Sequence, residues 1–370
     1  MRAYISRAAV VRDFDGTFAI EGIEVSAPHG AEVLIEVRAA GLCHSDLPLA
    51  STDLGIPAPA VLGHEIAGVV REIGDRVSGI AVGDHVVATL IQYCGRCADC
   101  LSGDGHRCLN RSHTLRQPTE SPRLEQDGSP VTQVFGLGGF AELALVHENQ
   151  VVPIPESFPF AQAAVMACST LTGAGAVFNC AKLEPGQGVV VIGAGGVGLN
   201  AINAARIAGA GRIIAVDLAA DKLELARSFG ATDIINATAT DPVAAVLELT
   251  GGGVDHAFEM IGLPATSLQA LRMTRTGGDA YLIGLHRPGS TLQIDAMADI
   301  IAPQRSLHGL YMGSSAPRRD VPRYVAQYLA GQLDLDALVA REFSLDEIND
   351  GFDLLRTGGG VARGVITSFG

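Results

Sequence analysis

The stretch GVVVIGAGGVGLNAINAARIAGA, residues 188–210, decides the fold of half the chain. Val189 to Ile192 are four consecutive β-branched side chains, a run that suits a strand covered on both faces. From Val197 onward the apolar positions recur at helical spacing. Between strand and helix, Gly193-Ala194-Gly195-Gly196-Val197-Gly198 has the form Gly-x-Gly-x-x-Gly. In such a turn Gly193 permits the sharp bend, Gly195 lets backbone approach a pyrophosphate, and Gly198 allows close packing of helix on strand. The helix N-terminus adds unpaired N–H groups for the phosphates. RIIAVD (212–217) is again a strand, ending at Asp217, nineteen positions after Gly198. A carboxylate there binds the adenine ribose diol and repels a 2′-phosphate, which favours NAD over NADP. The plainer role for Asp217 is a helix N-cap.

Working outward, DKLELARSFG (221–230) has helical spacing. TDIIN (232–236), VDHAFEMIG (254–262), DAYLIG (279–284) and SLHGLYM (306–312) read as strands, with helical segments between most of them. This alternation predicts a parallel, doubly wound sheet. The chain before about Ile154 is different. Its short Val-rich bursts, AEVLIEVRAAG (31–41), EIAGVVREIG (65–74) and DHVVATLIQY (84–93), predict a β-rich domain. Residues 110–135 are polar and rich in turn residues, which predicts an exposed loop. Beyond Val321 two helical segments precede a short final strand, GVITSF.

The chain has 370 residues, about two domains' worth, and a formal net charge of −14. So acidic a chain is poorly suited to nucleic acid or anionic lipid, both of which need clustered Lys and Arg. The uncharged stretch Pro185–Ala205 is interrupted by six glycines and two asparagines, unlike a lipid-facing helix. The N-terminus, with Arg2, Arg7, Arg12, Asp13 and Asp15, does not read as a signal peptide. The expectation is a cytoplasmic protein.

Seven cysteines, an odd number, argue against a disulfide framework. Cys94, Cys97, Cys100 and Cys108 fall within fifteen residues and supply four thiolates from one loop, which suits a zinc ion with every position filled and hence a structural role. A dispersed set, Cys43, His64 and Cys168, would leave one zinc position open for water or an alcohol oxygen. Taken singly, His64 reads more readily as a core histidine and Cys168 as an inert buried thiol, a weighting that their local companions change. Asp46 and Glu65 stand where carboxylates supporting a zinc site would lie. Cys180 has no such company and reads as a core thiol.

Together these residues resemble the zinc-dependent medium-chain alcohol dehydrogenase family. Gly63-His64-Glu65-x2-Gly68-x5-Gly74-x2-Val77 matches that family's zinc signature, and the cysteine loop, Cys168 with Ser169 and Thr170, the GAGGVG turn and Asp217 follow in the right order. The resemblance implies a GroES-like, β-rich catalytic domain over residues 1–169, a Rossmann coenzyme domain over 170–311, and a return to the catalytic domain over 312–370. It implies two zinc ions per chain, catalytic on Cys43, His64 and Cys168, structural on Cys94, Cys97, Cys100 and Cys108. It makes Ser45 the hydroxyl that accepts the substrate proton and Glu65 the acid behind the zinc, with Asp46 beside them. His44 and Arg363 are implied near the coenzyme pyrophosphate, Thr172 at the nicotinamide and Lys222 at the adenine ribose. Gly193, Gly195, Gly196, Val197, Gly198 and Asp217 are the coenzyme turn.

The implied reaction is reversible hydride transfer between a primary alcohol and NAD. Leu90, Phe135, Leu285 and Tyr311 are implied in the substrate pocket, with Leu90 in place of a common Phe, so that longer, allylic or aromatic alcohols fit. Core packing is the alternative for these four. Two departures stand out. Pro48 occupies the position where a histidine often ends the proton relay, leaving His44 or solvent to complete it. Gly55 replaces the acid of the thiol-dependent formaldehyde dehydrogenase branch, which counts against a thiol-adduct substrate, the second reading of the function. The 32 positions from Cys108 to Phe140 resemble dimeric members, implying a homodimer.

Overall fold

The apolar run Val189–Ile192 lies at the heart of a six-stranded sheet, its side chains at most 2% exposed. Burying each such side chain is worth about 1.5–3 kcal/mol, which explains why an uninterrupted β-branched run becomes a central strand. The sheet order is Asp233–Asn236, Arg212–Asp217, Gly188–Ile192, Val254–Glu259, Thr274–Leu282, Ser306–Gly309. Every neighbouring pair is parallel. Numbered along the chain this is 3-2-1-4-5-6, the doubly wound arrangement whose direction reverses beside the strand that carries the glycine turn. Helices Gly196–Ala208, Ala220–Phe229, Pro242–Thr250 and Pro264–Met273 make the first four crossovers, and the fifth contains the helical turn Ala296–Ile301.

In this computed structural model, residues 3–358 and 362–370 are described. The chain divides into two units, Met1–Cys168 with Ala316–Ala326 and Leu335–Gly370, and Ser169–Ser315 with Gln327–Asp334. The parallel sheet belongs to the second. The first is β-rich. One of its sheets runs Val151–Pro153, His85–Thr89, Glu65–Ile73, Glu32–Gly41, Arg363–Ser368, Val339–Ser344, with Leu143–His147 also on Glu32–Gly41. The antiparallel register Ala40↔Ile66, with Val365↔Gly41 on the other side, brings three strand ends together. Cys43 follows the first strand, His64 precedes the second and Arg363 opens the third. A second sheet of six strands, centred on Ala3–Val11 and Ala19–Ser26, completes the unit.

Much of 110–135 is exposed, as its polarity predicts, but the segment is not loop throughout. Leu124–Gln126 pairs with Ala19–Ser26. Arg116 and Arg123, each 6% exposed in its side chain, converge at 2.7 and 2.8 Å on Glu32. Charge in the sequence reads as surface, and three mutually paired charges can nevertheless be buried. The uncharged stretch 157–181 forms one helical run, Phe160–Ala181, long and apolar enough to cross a membrane by length and composition, yet 83% of it is buried inside the protein. Cys180, expected in the core, is partly exposed.

Candidate metal centres and dinucleotide site

Cys43, His64 and Cys168 come together as a buried cluster in the first unit. Their donor atoms and a Glu65 carboxylate oxygen lie within 4.8 Å of one another. Cys168 sits in a wide π turn, Met166–Thr170, interrupting the long helix. Such turns redirect a side chain without breaking the helix and recur at functional sites. Asp46, fully buried, has its Oδ1 3.0 Å from His64 Nδ1, which directs the lone pair of Nε2 toward the cluster. Ser45 occupies the N-cap of helix Asp46–Ser51 without capping it. Its hydroxyl is turned instead to Cys43 Sγ at 2.9 Å and His64 Nε2 at 3.4 Å. His44 is exposed at the same turn.

The chemistry of this donor set suits a divalent cation. The two thiols are driven in opposite directions: a hydrogen bond from Cys168 holds Cys43 well below the ordinary thiol range, and the same contact with burial holds Cys168 well above it. A bound dication would let both ionise together. Glu65 has both carboxylate oxygens buried without a hydrogen bond, and burial pushes its carboxyl up to about 8 against the pull of Arg363, whose Nη2 lies 3.4 Å away. Two thiolates and Glu65 bring three negative charges, which a dication and buried Arg363 would balance. Arg363 also donates to the Leu42 carbonyl, so its guanidinium is committed to this centre.

The second cluster is the cysteine loop. Sulfur separations are 3.4 Å for Cys97–Cys100, 3.8 Å for Cys97–Cys108 and 3.9 Å for Cys94–Cys100. Tetrahedral zinc with sulfurs at about 2.3 Å separates them by about 3.8 Å. The backbone N–H groups of Arg96 and Cys97 hold Cys94 down at about 6, whereas burial and the neighbouring thiols push Cys100 up to about 12. One thiolate forms readily and the last is resisted, as expected of a set built around a dication.

In the second unit the glycine turn opens helix Gly196–Ala208. Gly193 has φ +98°. A Cβ on Gly198 would stand 1.9 Å from the Gly193 carbonyl oxygen, whereas one on Gly195 would meet nothing within 4 Å. The first forces glycine by packing, and the second leaves an open cradle before the helix N-terminus that suits a pyrophosphate. Asp217 Oδ2 accepts from Ala194 N–H at 2.8 Å, and Oδ1 accepts from the N–H groups of Leu218 and Ala219. The following helix is capped at Ala219, so Asp217 is not its N-cap. Lys222 lies in the first turn of that helix, partly exposed. Thr172 is buried, its hydroxyl 3.5 Å from Met312 Sδ.

Residues 29–156 match the family described as "Alcohol dehydrogenase GroES-like domain", and residues 196–330 match "Zinc-binding dehydrogenase". A zinc-binding-domain alcohol dehydrogenase from Burkholderia ambifaria is 36% identical over the whole of both chains, with a TM-score of 0.95. The chain belongs to the zinc-dependent medium-chain dehydrogenase family. Benzyl alcohol dehydrogenase from Acinetobacter calcoaceticus is 34% identical to this family member, over 99% of this chain and all of that one, with a TM-score of 0.93. A more distant zinc-binding dehydrogenase, from Sinorhizobium meliloti, solved with NADP, is 26% identical over 98% of this chain and 99% of its own, with a TM-score of 0.82. The dehydrogenase therefore has the family's GroES-like and Rossmann parts, zinc-binding character and a nucleotide cofactor.

Of the residues expected to line a pocket, Leu90 and Phe135 lie in the first unit of this dehydrogenase. Leu90 is 7% exposed. Phe135 holds the left-handed conformation, φ 55° and ψ 16°, at a cost of about 1–3 kcal/mol, with its ring edge-on to His64 at 5.7 Å. Leu285 and Tyr311 belong to the second unit and are 67% and 39% exposed. The ion pair of Arg363 with Glu65 has no local signal in the sequence. It arises only when the C-terminal strand pairs with Glu32–Gly41.

Proposed function

We propose that this dehydrogenase oxidises primary alcohols, aromatic ones foremost, with NAD, and reduces the corresponding aldehydes. The observation that carries this reading is the buried Cys43–His64–Cys168 cluster with the Ser45 hydroxyl turned into it. Bound zinc supplies the Lewis acidity that makes an alcohol hydroxyl acidic near neutral pH, and bound nicotinamide supplies the hydride acceptor. Ser45 Oγ receives the hydroxyl proton and passes it outward to exposed His44 or to solvent, because Pro48 offers no further base. Asp46 holds the His64 ring in one orientation. Arg363 offsets the negative charge of Glu65 and the thiolates. Asp217, both oxygens pinned at the tip of its strand, presents a fixed negative charge where a 2′-phosphate would stand, which supports NAD. Phe135 beside His64, and the full-length likeness to benzyl alcohol dehydrogenase, support an aromatic substrate. The long segment between Cys108 and Phe140 supports a homodimer.

The test is NADH formation by purified, zinc-loaded protein from ethanol, a medium-chain alcohol, an allylic alcohol and benzyl alcohol, with NADP in parallel and thiol added to a formaldehyde arm. The expected result is NAD-dependent turnover highest on benzyl alcohol. Turnover only with formaldehyde and thiol would put the enzyme on a thiol adduct instead.

A further inference from the structure

Gln150 lies outside both metal clusters and is fully buried. Strand Val151–Pro153 sets Val151 opposite Ala88, so Gln150 comes one step further, beside Thr89. Its Nε2 is 3.0 Å from the Thr89 carbonyl oxygen and 3.0 Å from the Phe135 carbonyl oxygen. Both partners accept only, so the NH2 end of the amide must face them, and one side chain ties the two segments together. Thr89 immediately precedes Leu90, and Phe135 carries the ring against the zinc ligand His64. A bulky residue seldom adopts the left-handed backbone that Phe135 holds, so something must keep it there. The neighbouring Gly136 has φ +67°, and a Cβ there would be tight, 3.0 Å from Gln92 Nε2 and 3.2 Å from Gln150 Oε1.

We propose that Gln150 is a positioning residue that sets alcohol selectivity by clamping the backbone at Thr89–Leu90 and at Phe135, thereby holding the Phe135 ring edge-on to His64. This rests on the reading of the protein as an aromatic-alcohol dehydrogenase. Without the clamp, Phe135 relaxes to an ordinary backbone conformation and its ring leaves the imidazole, so a flat substrate loses more than a small one does.

The experiment measures kcat and KM for benzyl alcohol and ethanol in the parent, Gln150→Met, Gln150→Asn, Phe135→Ala and the Phe135→Ala/Gln150→Met double variant, with zinc content and Tm alongside. The expected result is a fall of about tenfold in the benzyl-over-ethanol ratio of kcat/KM in Gln150→Met, carried mainly by KM. Gln150→Asn, which keeps the amide but loses the reach, shows the same direction. In the Phe135→Ala background Gln150→Met causes no further fall. A ratio unchanged in Gln150→Met, equal losses on both alcohols, or full additivity with Phe135→Ala would overturn the proposal. So would failure of both Gln150 variants to fold, which would make the residue a core-builder only. A parent that oxidises no aromatic alcohol would instead refute the functional reading itself.

Discussion

Asp46→Asn isolates how the protein holds its reactive metal. Asp46 is fully buried and meets His64 Nδ1 at 3.0 Å. The carboxylate is acceptor-only, so it fixes the tautomer that leaves Nε2 unprotonated, whereas an amide can turn its NH2 toward Nδ1 and stabilise the other. A hydrogen bond to a charged group is worth about 1.5–3 kcal/mol. Loss of a carboxylate behind a ligating histidine costs about 10–100-fold in metal affinity, or about 1.4–2.7 kcal/mol. The two ranges overlap, and we expect the dissociation constant of the Cys43–His64–Cys168 zinc to rise by one to two orders of magnitude on this basis. Chelator competition with zinc-resolved stoichiometry reads this directly. A zinc on the cysteine loop would serve as an internal control, because Asp46 belongs to the other cluster. If the affinity of the first zinc stays within about twofold of the parent, the carboxylate does not orient His64 and the reasoning fails.

Other perturbations probe the rest of the molecule. Burial alone would raise Glu32, but Arg116 and Arg123 outweigh it and hold the carboxyl at about 2. That stabilisation is complete above the unfolded carboxyl value near 4.5 and is lost as pH falls from there toward 2. The shift corresponds to about 3 kcal/mol, partly offset by the burial that holds Arg123 below its ordinary value. Glu32→Gln should therefore lose at least about 2 kcal/mol by urea unfolding at neutral pH and flatten the acid limb of the stability curve; an unchanged acid limb would refute the network. Asp217→Ser should lower kcat/KM for NAD by about tenfold or more while raising that for NADP, since it removes a fixed charge. Equal effects on both coenzymes would count against the ribose role. Cys97→Ser should abolish one bound zinc and lower Tm while leaving the other zinc in place, as metal analysis by elemental spectrometry would show.

Much of this was readable from residue order because the signals are local. The run Val189–Ile192, the glycine turn and Asp217 lie within thirty residues. The same holds for four cysteines in a single loop. Cys43, His64 and Cys168 are dispersed and each is ambiguous alone, so their reading leaned on the neighbouring acids Asp46 and Glu65 and on the family resemblance. The π turn that aims Cys168 is invisible to a helical period, which it changes by one residue. Burial of Arg116 and Arg123 was not legible because their partner, Glu32, lies in a distant strand, and unpaired charge reads as surface. The left-handed Phe135 gave no signal either, since a bulky aromatic ordinarily argues against that conformation.

The central claim, that one zinc on Cys43, His64 and Cys168 is what makes this protein an alcohol dehydrogenase, is tested most directly by titrating that metal. The measurement is NADH formation from benzyl alcohol as zinc is stripped by chelator and then restored, with the zinc content per chain followed throughout. Activity should disappear with the loss of one zinc per chain and return in proportion as that one is replaced. Turnover that persists after the Cys43 site is emptied, or no turnover of any alcohol with both zincs bound, would contradict it.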